Sequence, residues 1–391
     1  MRLRYDDQTE AFRNDLITWL DDNAPTPDEI GSGKRSSADL PAWARAWQRR
    51  LFDAGYLVPG WPPELGGRNA TPSQQMAYFE ELARRDLPRT TNPQALGIVA
   101  PSVLDYGTDE QKERFVVPTL RAEIAWCIGM SEPGAGSDLA ALSTRGVVDG
   151  DTFVVNGQKV WTSGAHHADW CLCYVRTDPA APKHKGISAL IIDMKTPGIT
   201  CRPLPELTDP HYADFNEVFF TDVVVPRQNL LGDLNGGWPI TQGSLAHERS
   251  MLWIQNAQTL QVLADALITM ARERNVDAHV VDQVAALWID AQAMMLMGYR
   301  GFSKYAAGKS NPEHSILKLF GSETQRRLAL TAHEVLGPDG LDMAVLAPSL
   351  QLRPGSWAEL YLRAFGSTIA GGTSEIQRNI VAERVLGLPR K

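Results

Sequence analysis

The 391-residue sequence predicts an α+β protein with a helical N-terminal domain, a middle β domain and a helical C-terminal domain. Three observations predict it. Apolar residues recur at helical spacing through the first third. β-rich runs bounded by Pro, Gly and Asn then follow. Beyond them lie long stretches rich in Ala, Leu and Met and low in proline. A chain of this length suggests roughly two or three domains, and the composition shifts place them at residues 1–124, 125–232 and 233–391.

Phe12, Leu16, Trp19 and Leu20 mark the first amphipathic helix, with Thr9 as its expected cap. Trp43, Trp47 and Leu51 repeat every four residues after Pro41, which suits a first helical turn. Met76, Phe79 and Leu82 mark another helix. Thr108 and the acidic residues after it start a further one, expected to end near Pro118. The pattern changes at Val147-Val148-Asp149-Gly150-Asp151-Thr152-Phe153-Val154-Val155-Asn156-Gly157. Here two apolar runs flank Asp-Gly and an Asn-Gly turn follows, because these pairs accept positive φ. Residues 171–175, 187–192 and 217–225 read as strands, and residues 232–237 as a flexible joint. Residues 252–270, 280–297 and 316–336 read as long helices.

Apolar residues make up 43% and charged residues 21% of the chain, ordinary for a globular protein with a large core. The formal charge of −8 argues against a general nucleic-acid binder. It leaves room for an anionic ligand held by local amides and arginines. The N-terminus has no apolar h-region, and no uninterrupted apolar run is long enough to span a bilayer, so neither a signal peptide nor membrane insertion is expected. Cys127, Cys171, Cys173 and Cys201 lack metal-ligand spacing and read as buried free thiols, which suits a cytoplasmic location. The patch Gly31-Ser32-Gly33-Lys34-Arg35-Ser36-Ser37 lacks the first glycine of a P-loop and reads as a polar linker.

Three segments point to chemistry. Ser131-Glu132-Pro133-Gly134-Ala135-Gly136-Ser137-Asp138 is a small-residue loop whose amides can face a ligand. Asn156-Gly157-Gln158-Lys159-Val160-Trp161-Thr162-Ser163-Gly164 leads into an aromatic, two hydroxyls and a glycine. Gly371-Gly372-Thr373-Ser374-Glu375-Ile376-Gln377-Arg378 completes the set. The first two suit a flat polar ring that carries phosphates. With Phe219-Phe220-Thr221-Asp222-Val223-Val224-Val225-Pro226, Leu230-Leu231-Gly232 and Val385-Leu386-Gly387 in this order, nearly the whole chain resembles the acyl-CoA dehydrogenase family of flavoproteins. The segments Gly164-Ala165-His166-His167-Ala168-Asp169 and Lys183-His184-Lys185-Gly186-Ile187-Ser188 resemble actinobacterial members of steroid and fatty-acid catabolism.

The resemblance implies a middle β-barrel-like domain, a C-terminal four-helix bundle and FAD held in extended form. No Gly-x-Gly-x-x-Gly turn is present for Rossmann-type binding. By resemblance, Met130 and Ser131 line the flavin edge and Gly136 and Ser137 face the diphosphate. Trp161 packs on the ring, and Thr162 and Ser163 bond it near the reactive nitrogen. Thr373 and Glu375 reach the cofactor from the C-terminal helix, with Glu375 replacing the usual glutamine. Arg274 is the candidate for an arginine that reaches a neighbouring subunit's diphosphate, although Phe-Gly is absent after it. Leu336-Gly337-Pro338-Asp339-Gly340 alters the family's glycine-rich loop.

The reaction needs a base for the proton beside the thioester carbonyl. Many members carry a glutamate where this chain has Gly371. A subset carries it directly before an arginine on the first long C-terminal helix, and Glu248-Arg249 stands there. Glu248 is thus the expected catalytic base, with Arg249 ordering the pocket and the Gly371 amide polarising the substrate carbonyl. His166 and His167 are read as loop residues rather than metal ligands, and no metal is expected. The resemblance implies FAD-dependent α,β-dehydrogenation of an acyl-CoA to the trans-2-enoyl-CoA, with an electron-transferring flavoprotein as acceptor. A homo-oligomer, dimer or tetramer, is expected; homotetramers occur in the family. The alternatives are a flavin monooxygenase or oxidase on the same fold, or one subunit of a hetero-oligomeric dehydrogenase.

Overall fold

The computed structural model describes residues 5–31, 35–209, 211–307, 314–348 and 355–389; the side chains of residues 244–252, 305–306 and 314–315 lie outside that description. Six helices come first: α1 (Asp7–Asn23), α2 (Pro27–Ile30), α3 (Ala42–Asp53), α4 (Pro72–Arg84), α5 (Ala100–Tyr106) and α6 (Asp109–Leu120). The strands are β1 (Trp126–Gly129), β2 (Arg145–Asp149), β3 (Thr152–Lys159), β4 (Trp170–Arg176), β5 (Ile187–Asp193), β6 (Ile199–Pro203), β7 (Asn216–Pro226) and β8 (Leu230–Leu231). Five helices follow: α7 (Gly237–Arg274), α8 (Ala278–Ala306), α9 (His314–Leu336), α10 (Trp357–Ser367) and α11 (Ser374–Ile380). The α+β order of helices, sheet and helices is as expected.

The chain divides into two compact units. One contains Asn23–Ala70 and Arg89–Glu248; the other contains Met1–Asp22, Thr71–Pro88 and Arg249–Lys391. In the first, the strands form one sheet in the order β6-β7-β3-β2-β4-β5-β8, and β1 pairs in parallel with β4. Side chains of β3, β4, β5 and β7, which are not all neighbours, meet in one apolar cluster around Phe153, Val175, Ile192 and Phe220, so the sheet curls around a single core. Cys127, Cys171 and Cys173 are buried there as free thiols, and Cys201 is half-buried.

Gly150, at φ +54°, turns the β2–β3 hairpin. Asn156-Gly157 is not a turn but an irregularity inside β3, where the pairing with β7 shifts between Val155 and Gly157. The cause is a side-chain bridge. Asn156 Nδ2 donates to Asp222 Oδ1 at 3.0 Å, and Asp222 N donates to Asn156 Oδ1 at 2.9 Å. Gly157 sits at φ +151°, and a Cβ there would lie 2.6 Å from Thr144 Oγ1. Two helix ends also differ from expectation. Thr9 N donates to Asp6 Oδ1 at 2.8 Å, so Asp6 caps α1 and Thr9 is buried within its first turn. Pro118 lies inside the last turn of α6, where its missing N–H removes one bond without ending the helix.

In the second unit α7, α8, α9 and α10 share a core around Leu263, Ala291, Met294, Leu328 and Trp357, joined by Met76 of α4. Gly298 lets α8 approach Trp253 of α7, since a Cβ there would meet the indole at 1.9 Å. Residues 278–304 of α8 are, by length and composition, apolar enough to cross a membrane, a feature the sequence reading did not anticipate. Asp282 and Asp290 interrupt that stretch. Its Val284, Leu287, Ala291 and Met294 are buried in the helical core.

Candidate functional site

The loop after β1 is tied to the end of β3 by a buried ion pair. Lys159 Nζ lies 2.8 Å from Glu132 Oε1, with side chains 0% and 4% exposed. Thr144 N donates to the same oxygen at 2.9 Å, while Ser143 N and Oγ donate to Oε2 at 2.6 and 2.8 Å. Three donors and a cation therefore satisfy this buried carboxylate, as a buried charge requires. Burial pushes its pKa up, but the Lys159 ammonium and these hydrogen bonds outweigh burial and hold it at about 2. Lys159 Nζ also donates to the Met130 carbonyl at 3.0 Å. Glu132 and Ala135 exchange backbone bonds of 2.9 and 3.0 Å, closing a tight turn. Beyond it, a Cβ at Gly134 or Gly136 would meet nothing within 4 Å. Among the described residues, the Gly136 and Ser137 amides donate to no partner. Asp138 pairs with Lys183 at 2.8 Å on the surface.

The segment after β3 is strained. Trp161 has φ +60°, which a bulky side chain rarely adopts, and its indole is 62% exposed against Phe215. Asn216, fully buried, fixes the next residue. Its Nδ2 donates to the Thr162 and Asp214 carbonyls at 3.0 Å each, and Thr162 N donates to its carbonyl at 3.1 Å. Gln94 Nε2 donates to the Ser163 carbonyl at 3.2 Å. Gly164 N donates to the Asp214 carbonyl at 2.8 Å, and the Asp214 carboxylate accepts from Ser36 Oγ, Ser37 N and Ser37 Oγ. Thr162 is 1% exposed, and its hydroxyl has no partner among the described residues. His166 Nδ1 lies 2.9 Å from Asn216 Oδ1, and burial, with His167 beside it, lowers its pKa. Among the described residues no group of three His, Cys, Asp or Glu could hold a metal ion.

The other unit carries the third segment. Gly371 and Gly372 have φ +67° and +105°. Gln377 Nε2 donates to the Gly371 carbonyl at 3.0 Å, and Lys318 Nζ donates to the Gly372 carbonyl at 2.6 Å. Thr373 caps α11, its hydroxyl accepting from Ile376 N at 3.3 Å. Ser374 Oγ donates to Glu323 at 2.6 Å, and this bond, helped by Arg326 and Arg378, holds the Glu323 carboxyl below its usual range. Glu375 is exposed and faces Arg378 at 3.6 Å. Arg274 pairs with Asp339 at 2.7 Å and donates to the Leu336 carbonyl at 3.1 Å, so the altered loop engages it within its own unit. The side chains of Glu248 and Arg249 lie outside the described residues; only their place on α7 is defined.

Three family models match in chain order: the acyl-CoA dehydrogenase N-terminal domain at residues 6–123, the middle domain at 127–223 and the C-terminal domain at 235–386. The acyl-CoA dehydrogenase IpdE1 of Mycobacterium tuberculosis is 35% identical over 98% of each chain. The chain belongs to the acyl-CoA dehydrogenase family. Among solved structures it is similar to the Tcur3481-Tcur3483 steroid ACAD, with TM-score 0.82 and 30% identity over 100% of both chains. It is also similar to the ChsE4-ChsE5 complex from Mycobacterium tuberculosis, with TM-score 0.80 and 30% identity over 100% of both chains. As an acyl-CoA dehydrogenase it is a flavoprotein oxidoreductase of the CH–CH group, with FAD as its cofactor.

The β-domain residues fit that cofactor. A buried hydroxyl without a protein partner leaves a bond for water or a polar ligand to make. Thr162 supplies one. The open glycines and unused amides of the loop suit an anionic tail, and the exposed Trp161 indole supplies an apolar face. Sequence reasoning missed the residues that hold these groups in place: Glu132, Lys159, Asn216 and Gln94. One signal was present. Lys159 shares the odd-numbered parity of Phe153 and Val155, the inward face of β3.

Proposed function

We propose that this acyl-CoA dehydrogenase converts an acyl-CoA thioester to its trans-2-enoyl-CoA, with Glu248 as the base that takes the α-proton. The observation that carries this reading is the glycine at 371. Many members place their carboxylate there. Here a Cβ would meet only Lys318 Cε, at 4.0 Å, so the position offers space and no base. The Glu248-Arg249 pair on α7 supplies the carboxylate instead. Arg249 orders it and biases its charge. The Gly371 backbone donor polarises the thioester carbonyl, stabilising the negative charge that builds on oxygen as the proton leaves. FAD, when bound, supplies the acceptor for the hydride from the β carbon.

Met130, Ser131, Gly136, Ser137, Trp161, Thr162 and Ser163 would hold FAD on the β side, and Thr373, Glu375 and Arg274 from the C-terminal helices. The divisions at 124/125 and 232/233, an electron-transferring flavoprotein as acceptor, a cytoplasmic location and a homo-oligomeric state belong to the same reading. The exposed apolar Val281, Trp288, Ile289 and Leu296 on α8 support association. The test is anaerobic mixing with a panel of short, branched and steroid side-chain acyl-CoA thioesters. The matching thioester bleaches the flavin in the parent and fails to do so at a comparable rate in Glu248→Gln. Equal rates would remove Glu248 from the role of base.

A second reading has a specific support. The ChsE4-ChsE5 relative is a complex of two named chains, and the Tcur3481-Tcur3483 relative is a steroid ACAD. Arg274, already paired with Asp339, would have to leave that carboxylate to reach a diphosphate. This chain then supplies part of the cofactor site in a mixed assembly acting on a ring-bearing acyl-CoA. A yellow homo-oligomer, purified alone and active, would exclude that reading.

A further inference from the structure

We propose that Lys159 is a positioning residue for the cofactor: by drawing the Met130 carbonyl into the core, it turns the Ser131 N–H toward the flavin. This inference rests on the FAD site described above. The bond between residues 130 and 131 is trans, as no cis peptide occurs among the described residues. In a trans peptide the C=O and the following N–H point in opposite directions. Lys159 Nζ donates to the Met130 carbonyl at 3.0 Å from a side chain with no exposure. The Ser131 N–H is therefore directed away from that buried ammonium, and it donates to no partner among the described residues. The next peptide is fixed as well, since the Ser131 carbonyl accepts from Val160 N at 2.9 Å and Glu132 N donates to the Ala135 carbonyl at 2.9 Å. One unused amide is left in a framework that cannot rotate it.

Glu132 has a different task. It neutralises the ammonium and fixes residues 143 and 144 through their amides. A buried lysine would otherwise lose its proton or drive water inward. The pair thus contains two separable functions. Glu132 stabilises the fold, and Lys159 aims an amide.

Two variants separate them. Glu132→Leu combined with Lys159→Met removes both charges, which buried pairs often tolerate, but it releases the Met130 carbonyl. Glu132→Gln leaves an uncompensated lysine, so it is less stable, yet Lys159 still donates to that carbonyl whether charged or neutral. Thermal unfolding, FAD titration of flavin-depleted enzyme and the visible circular dichroism of bound flavin are measured on each. The double variant should fold and melt above Glu132→Gln, while its FAD Kd rises about tenfold or more, the effect of one lost aligned hydrogen bond. Its flavin dichroism band should shift. Glu132→Gln should keep a parent-like band and the tighter Kd of the two. If affinity follows stability in both variants, or the double variant binds FAD as the parent does, the positioning role is overturned. A parent protein that binds no FAD would instead refute the cofactor reading beneath it.

Discussion

Two glycine-bearing loops in this chain are each held by a lysine through a backbone carbonyl, and the two lysines work in different surroundings. In the loop at residues 130–138, Lys159 is wholly buried and paired with a carboxylate that three further protein donors satisfy. In the loop at residues 371–374, Lys318 is half-buried and donates to Gly372, while Gln377 donates to Gly371. The first arrangement leaves little freedom, because rotating the peptide would break the Met130 carbonyl's bond to a buried ammonium. The second joins two positive-φ glycines, one of them beside open space. The comparison teaches a division of labour. The β-domain loop is held rigidly by buried partners, as the proposed role toward an invariant cofactor requires. The C-terminal loop, tied through a half-buried lysine, is on the proposed reading the side that meets a variable acyl group.

The largest effect expected from breaking this division is chemical. Glu248→Gln should slow flavin reduction by roughly 10²–10⁴-fold, the usual contribution of a general base, with FAD content unchanged. Anaerobic stopped-flow absorbance checks it. Next come the lysines themselves. Lys159→Met leaves Glu132 buried and unpaired and should cost about 3–5 kcal/mol of stability. Lys318→Met, from a half-buried side chain, should cost less, about 2 kcal/mol for loss of its charge-assisted bond to the Gly372 carbonyl. Denaturant unfolding of the two variants side by side tests the contrast, and equal losses would erase it. A pH titration sharpens it further. The Glu132 carboxyl has its folded pKa lowered from 4.5 to about 2. Its contribution is therefore complete above pH 4.5 and is lost as pH falls toward about 2. In the variant lacking both Glu132 and Lys159, that part of the acid-unfolding profile should vanish.

Much of this was legible in the sequence because it depends on local rules. Helical periodicity found α1, α3, α4 and α6–α9, and the Asp-Gly signal found the β2–β3 hairpin. The same local rules misread Asn156-Gly157. Its conformation answers to Asp222, 66 residues away, and no short window contains both. Proline chemistry similarly suggested an end at Pro118, but near the C-terminus of α6 the ring removes only one bond. The site divides along the same line. Trp161, Thr162 and the small-residue loop could be named from their types and order. The side chains that hold them were less visible: Asn216 lies 54 positions from Thr162, and Lys159 lies 27 from Glu132. Charged and amide side chains usually face water, so burial by tertiary pairing is what a sequence pattern conveys least.

The smallest predicted effect lies at Gly371 and tests the adaptable side of the comparison. Alanine there must adopt φ +67°, which costs an L-residue roughly 1–2 kcal/mol. Its methyl meets only Lys318 Cε, at 4.0 Å, so no further strain arises from packing. Gly372 is different, since a Cβ would stand 2.6 Å from Gln377 Nε2 and push away the donor that holds Gly371. Gly371→Ala should therefore unfold with a loss of about 1–2 kcal/mol, and Gly372→Ala with more. Because the 371 backbone N–H survives the change, the methyl acts on substrate by volume. The kcat/KM for a bulky, ring-bearing acyl-CoA should fall more than that for a short linear one. An equal fall for both would mean that the space beside Gly371 does not receive the acyl group, and that its glycine serves the turn alone.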